Sequence, residues 1–125
     1  LALDIDGNLD CETIDCTAFN NNSDINLKTN VNNIDTPLET ILKLKGITFE
    51  WKEKVIEKEP GKRYKNLEGT KHGFIAQEVE KILPGLVNTT RDYKSLSYVE
   101  VVPILVEAMK EQQKQIDELK KQINE

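Results

Sequence analysis

Asn22-Ser23-Asp24-Ile25-Asn26-Leu27-Lys28 divides the sequence into two unlike parts. Residues 1–22 carry Asp4, Asp6, Asp10, Glu12 and Asp15 and no Lys or Arg. The other 17 of the 22 acids and all 17 bases lie in 23–125, so the net charge of −5 belongs to the first part. At the junction a hydroxyl, Ser23, and an amine, Lys28, stand five positions apart. That spacing sets two side chains on opposite faces of a strand and well apart around a helix. They meet only across a bend or between chains. A nucleophile–base pair and a polar linker with a solvated lysine both fit the residues. If one peptide bond is special here it is Asn22–Ser23, though spacing alone does not single it out.

Toward the N-terminus, Leu1, Leu3 and Ile5 alternate with Ala2, Asp4 and Asp6. Asp6-Gly7 is a hairpin signal, with Asn8 allowing a longer turn. Leu9, Cys11, Ile14 and Cys16 continue as short apolar runs until Asn20-Asn21-Asn22 breaks them. The pattern reads as the last rung of a β-rich stalk. Two thiols and one His make no zinc site. Cys11 and Cys16 read instead as small strand residues in a reducing compartment, and neither a metal nor a cofactor is expected. Leu1-Ala2-Leu3-Asp4 lacks the basic region of a signal peptide. Leu1 is not an initiator Met, so the chain reads as a fragment of something longer.

Toward the C-terminus, residues 23–33 carry Ile25, Leu27 and Val31 and read as a short strand. Thr36-Pro37-Leu38-Glu39 reads as a helix start, with Thr36 as cap, Pro37 at the first helical position and Glu39 completing a capping box. Leu38, Ile41 and Leu42 share a face, and Gly46 ends the helix. Ile47, Phe49 and Trp51 alternate with polar residues as a half-buried strand does. Residues 55–70 form a solvated hairpin or loop turning at Pro60-Gly61, or an arm that grips an acidic partner with Lys62, Arg63 and Lys65. Ile75, Val79, Ile82 and Leu83 share a helical face that Pro84-Gly85 stops. Ser97-Tyr98-Val99-Glu100 reads as a second capping box. The helix it opens runs to the end, with a kink or restart at Pro103. Val102, Leu105, Met109, Gln112, Ile116, Leu119 and Ile123 step by three and four, the spacing of a coiled-coil seam. On its outer face Glu111–Lys114, Asp117–Lys120 and Glu118–Lys121 are i,i+3 pairs.

At 125 residues this is one domain with appendages. With 31% charged and 38% hydrophobic residues the core is modest, little for a lone monomer with a long exposed helix. No run approaches the ~18 apolar residues of a membrane span. The charge balance of 23–125 argues against a nucleic-acid surface, which needs a basic excess.

Three stretches are less anonymous. Gly73-Phe74-Ile75-Ala76-Gln77-Glu78-Val79, followed by Pro84 and Leu86-Val87, resembles the intramolecular chaperone, self-cleaving domains of the S74 peptidase family. Tyr98-Val99-Glu100-Val101-Val102-Pro103-Ile104-Leu105-Val106-Glu107-Ala108-Met109-Lys110-Glu111 is similar to that family's entry into its C-terminal helix. Ser23-Asp24-Ile25-Asn26-Leu27-Lys28 resembles its opening motif, a Ser-Asp step with a Lys five residues after the Ser. The likeness covers about residues 23–118. The family often has a basic residue where this chain has Asn26.

The resemblance implies an α+β fold: a small mixed domain of short strands and helices, ending in a long C-terminal helix that forms a parallel trimeric coiled coil. The heptads alone leave dimer and trimer open. It implies residues 1–22 as the end of a parent stalk, 23–97 as the chaperone and self-cleavage core with the 55–70 arm, and 98–125 as the coiled-coil helix. The domain then trimerises, holds the parent stalk in register while it folds, and cuts itself off between Asn22 and Ser23. Ser23 is the nucleophile and Lys28 the general base, with Asp24, His72 and Gln77 as supporting candidates. A lysine with the ordinary pKa is neutral at pH 7 only about once in 2,500, so the base needs burial or a nearby cation. The partners implied are two further copies and the parent polypeptide, with no nucleic acid and no membrane. The setting implied is a phage tail fibre, spike or neck appendage, assembled in the host cytoplasm and carried in the virion. A trimerisation cap that never cuts, and the self-cleaving domain of a membrane-bound transcription factor, are the alternatives.

Overall fold

A computed structural model describes residues 7, 9–89 and 92–124. The alternation over 1–6 and the turn at Asp6-Gly7-Asn8 lie outside the described residues. In chain order the elements are α1 (Pro37–Lys43), β1 (Ile47–Phe49), α2 (Glu53–Ile56), β2 (Glu57–Glu59), β3 (Lys62–Arg63), β4 (Lys71–Gly73), α3 (Ala76–Glu80), β5 (Val87–Asn88), β6 (Ser95–Leu96) and α4 (Val101–Ile123). Single 3-10 turns lie at Ile25–Leu27, Lys65–Leu67, Pro84–Leu86 and Tyr98–Glu100. This is a mixed α/β chain of short strands with one long C-terminal helix. The strands pair antiparallel in twos: β1 with β4, β2 with β3, β5 with β6. Two compact units form, residues 1–30 with 50–70, and residues 31–49 with 71–125.

The second unit is built on α1 against α4. Val101, Ile104 and Ala108 are buried, a step of three and then four that lines one helical face. Leu38 and Ile41 turn inward from α1, but Leu42 is 73% exposed, so the face shared by all three does not form. The expected capping box at Thr36 is absent. Thr36 sits in the left-handed region, φ 44° and ψ 54°, and makes no side-chain cap. A capping hydroxyl needs extended backbone there to reach the first amides. The Leu38 amide donates instead to Glu111 Oε2 of α4 at 3.1 Å, while Glu39 pairs with Lys43 at 3.4 Å. Lys43 is the last helical residue and Leu44 the cap, two positions before Gly46.

Ser97 makes no side-chain cap either. The chain enters α4 through the 3-10 turn Tyr98–Glu100 and becomes α-helical at Val101. Pro103 is then the third helical residue, where a backbone amide has no intrahelical partner to lose. The expected kink or restart at Pro103 does not occur: the change of helix type comes two residues earlier, at Val101, and α4 runs on through Pro103. α4 runs 23 residues, about 35 Å at 1.5 Å per residue. The proposed outer-face pairs do not form: Glu111 caps α1, and among the described residues the helix's ion pair is Glu107–Lys110 at 3.1 Å. Val102, Leu105, Met109, Leu119 and Ile123, on the predicted seam, are 48–82% exposed in the single chain.

Gly73 lets β4 meet the start of α4. A Cβ there would lie 2.5 Å from Tyr98 Oη and 3.1 Å from Phe49 Cε1. Tyr98 Oη accepts the Phe74 amide at 2.9 Å, and its ring stacks on Phe74 at 5.7 Å between centroids. Val79 of α3 is buried, and Glu80 holds Lys94 at 3.0 Å.

In the first unit Ile56 is the buried apolar residue among those described. α2 runs directly into β2, and β2 turns at Pro60-Gly61 into β3, with Gly61 at φ 82°. That is the hairpin expected at 55–70. The short strands expected at 9–16 are absent among the described residues, and Cys11 and Cys16 are exposed free thiols. A strand needs a neighbour for its backbone hydrogen bonds, and among the described residues no strand pairs with this segment. Trp51 falls just outside β1.

Candidate active site

Residues 23–33 are not a strand. Asp24 is extended, φ −66° and ψ 136°, and its Oδ1 accepts the Asn26 amide at 2.8 Å. The Leu27 amide donates to the Asp24 carbonyl at 3.0 Å, and the Lys28 amide to the Ile25 carbonyl at 3.1 Å. These three bonds close a tight turn. Local side-chain-to-backbone bonding of this kind competes with strand formation, and Asp is among the residues that offer it. The apolar alternation of Ile25, Leu27 and Val31 therefore loses to turn chemistry.

The turn has a direct chemical consequence. Ser23 and Lys28 flank it on either side, and Lys28 Nζ donates to Ser23 Oγ at 2.7 Å. A candidate nucleophile and a candidate base thus lie within hydrogen-bond reach inside one chain. The bend needs no second copy. Ser23, Asp24 and Lys28 are exposed, as are Ile25 and Leu27 at 65% and 70%.

The other sequence candidates fall in two places. His72 sits on β4 opposite Thr48 of β1, and Gln77 on α3; both are exposed and belong to the second unit. The arm lies in the first unit with the turn. Lys62 pairs with Glu59 at 3.0 Å. Arg63 is held between Glu53 and Glu68, whose hydrogen bonds raise its pKa further. Lys65 is exposed. The arm's contact with the acidic segment is Lys58 to Glu12. The hydrogen bond to Glu12, then its charge and that of Asp10, push the Lys58 pKa up. Lys58 was not singled out in the sequence; its signal was a base in the hairpin of a chain whose first 22 residues carry five acids and no base.

The family model for Peptidase_S74, chaperone of endosialidase, matches residues 23–88, just over half of the chain. The chain belongs to the Peptidase_S74 family. The matched region of this S74 domain begins at Ser23 and takes in the turn, the arm, β4 and α3. The chain is also 32% identical over 114 residues to the long tail fiber protein Gp37 of Salmonella phage S16. That alignment covers 88% of this chain and 15% of the phage protein, so the chain spans about a seventh of its relative's length. No helix among the described residues is long and apolar enough to cross a membrane.

Proposed function

We propose that this S74 domain is the terminal chaperone of a phage fibre or appendage, and that it cuts its own chain between Asn22 and Ser23. The Lys28 Nζ–Ser23 Oγ contact at 2.7 Å carries the reading. The fibre relative and the family's chaperone description support it.

The chemistry follows from the two groups. Ser23 Oγ attacks the Asn22 carbonyl carbon and its proton passes to Lys28. The carbon–nitrogen bond breaks, and the proton goes from Lys28 to the departing Ser23 amine. Asn22 is left as an ester on Ser23. Water then hydrolyses that ester, leaving an Asn22 carboxylate and a free Ser23 hydroxyl. The lysine must be neutral when it takes the proton. In the single chain Lys28 and the turn that carries it are exposed to water.

Assembly supplies the missing condition in this proposal. Burying Ile25 and Leu27 against further copies withdraws the turn from water, and desolvation favours the neutral amine. The bend is already present in one chain, so assembly has only to dehydrate the pair, not to bring it together. The exposed seam of α4 supports a parallel three-chain coiled coil over 98–125, with 23–97 as the core and 1–22 as the end of the parent stalk. The parent would fold in the host cytoplasm and remain in the virion after the domain is released. His72 and Gln77 stay as supporting candidates.

Mass spectrometry of freshly purified chain should find a fragment beginning at Ser23. Ser23→Ala and Lys28→Ala should each leave the chain whole while it still assembles. The same two fragments from Ser23→Ala, without added protease, would sink the mechanism. Sedimentation should give three chains, and a two-chain mass counts against the trimer. Ile116→Asp with Leu119→Asp should separate the chains and stop cleavage. Efficient, concentration-independent cleavage by that monomer would show that assembly is not required.

A further inference from the structure

The contact between Ser23 and Lys28 depends on a turn, and that turn has one side-chain bond to its backbone. Asp24 Oδ1 accepts the Asn26 amide at 2.8 Å. The other two bonds, Leu27 to Asp24 and Lys28 to Ile25, are main-chain bonds open to any residue. The Ser23–Lys28 bond joins the two ends of the turn and is the contact to be positioned. Ile25 and Leu27 are exposed, so packing within the chain does not hold it either. The stretch also has a competing conformation, because its apolar alternation suits an extended strand. Extended, residues 23 and 28 point to opposite faces and the amine leaves the hydroxyl.

We propose that Asp24 is a positioning residue for the Ser23–Lys28 pair, its carboxylate closing the turn that sets Lys28 Nζ on Ser23 Oγ. The inference rests on the self-cleavage reading above. The carboxylate acts as a hydrogen-bond acceptor, so its charge is dispensable. Asparagine keeps an oxygen at the same place and caps as well as aspartate. Alanine removes the acceptor and leaves the Asn26 amide to water.

Loss of such a cap lowers the equilibrium constant for closing the turn by about fivefold, and cleavage should slow by up to that factor. The test compares Asp24→Ala and Asp24→Asn in the full chain, by the rate of appearance of the Ser23-initiated fragment. A second readout, hydrogen exchange at the Asn26 amide, is taken in the Ser23→Ala background, where no cleavage intervenes. Asp24→Ala should slow cleavage by up to about fivefold and speed exchange at Asn26, and Asp24→Asn should restore both. Unchanged cleavage or unchanged exchange in Asp24→Ala overturns the inference. So does an Asp24→Asn variant that cleaves as slowly as Asp24→Ala, since charge would then be what matters. If the unmutated chain itself does not cleave, the self-cleavage reading falls and the inference falls with it. If the unmutated chain cleaves and Asp24→Ala keeps pace, only the inference falls.

Discussion

The two units of this chain are held together by different physics. Residues 31–49 with 71–125 are organised by buried apolar side chains: Val79 on α3, and Val101, Ile104 and Ala108 on the inner stripe of α4. Residues 1–30 with 50–70 have Ile56 as their buried apolar residue among those described, and otherwise rely on short-range hydrogen bonds and ion pairs. The Ser23–Lys28 pair lies in the second kind of region. Burial is cooperative and unforgiving, whereas exposed polar contacts are individually weak and replaceable. Substitutions in the apolar unit should therefore act on stability, and those around the turn should act on rate.

The largest effect should come from Ile104→Ala. Deleting a buried isoleucine to the β-carbon costs about 2–5 kcal/mol through lost transfer energy and the cavity left behind. Urea or thermal unfolding of the Ser23→Ala background would measure it without interference from cleavage. The comparison breaks if Ile104→Ala unfolds no more easily than Asp24→Ala.

Gly73→Ala should follow, at about 1–3 kcal/mol for a forced overpacking. The added methyl meets Tyr98 Oη at 2.5 Å, so the ring must move and release the Phe74 amide. The glycine is needed here for space. In a Tyr98→Phe background the same substitution should cost less, because the atom in closest conflict is gone. Equal costs in the two backgrounds would show that the clash is relieved elsewhere.

Glu111→Ala should cost about 1 kcal/mol, the usual value of a helix N-terminal cap. It removes the acceptor for the Leu38 amide at the start of α1. The sharper outcome concerns rate: the comparison predicts that cleavage by Glu111→Ala stays near that of the unmutated chain. A slowing as large as that of Asp24→Ala would mean that the cap on α1 is felt at the turn.

What the residues disclosed, and what they hid, divides along the same line. The hairpin at Pro60-Gly61, the strand at Ile47–Phe49 and the long C-terminal helix were legible, because turn residues and apolar periods are local signals. The cap on α1 was not. Thr36-Pro37 offered the right residue types, but a left-handed Thr36 and an acceptor 73 positions away in Glu111 are tertiary facts. The turn at 24–27 was readable in principle, since Asp followed two residues later by an amide is a known local bond. The alternation of Ile25, Leu27 and Val31 pointed to a strand, and the hydrogen-bonding side chain prevailed. The pairing of Ser23 with Lys28 came from motif resemblance, and no spacing rule yields it; the turn supplies its geometry.

The smallest effect should be that of Lys58→Ala, and its interest lies in its sign. Lys58 and Glu12 form an ion pair between the arm and the acidic segment that precedes Ser23. Folding raises the Lys58 pKa above its ordinary 10.5, first through the hydrogen bond to Glu12. A raised lysine pKa gives stability that is fully present below the ordinary value and is lost as the pH climbs through the folded one. Through the lysine, the contribution is therefore constant through neutral pH and disappears in strong alkali. Lys58 is exposed and Glu12 half-buried, so salt should screen the pair. Lys58→Ala should lower the melting temperature by less than Glu111→Ala at low ionic strength, and by nothing measurable in about 1 M salt, where the screening length is near 3 Å. A double-mutant cycle with Glu12→Gln isolates the pair: its coupling should vanish in high salt together with the single-mutant effect. A coupling that survives 1 M salt would mean that this region too is held by burial, and the contrast between the two units would no longer stand.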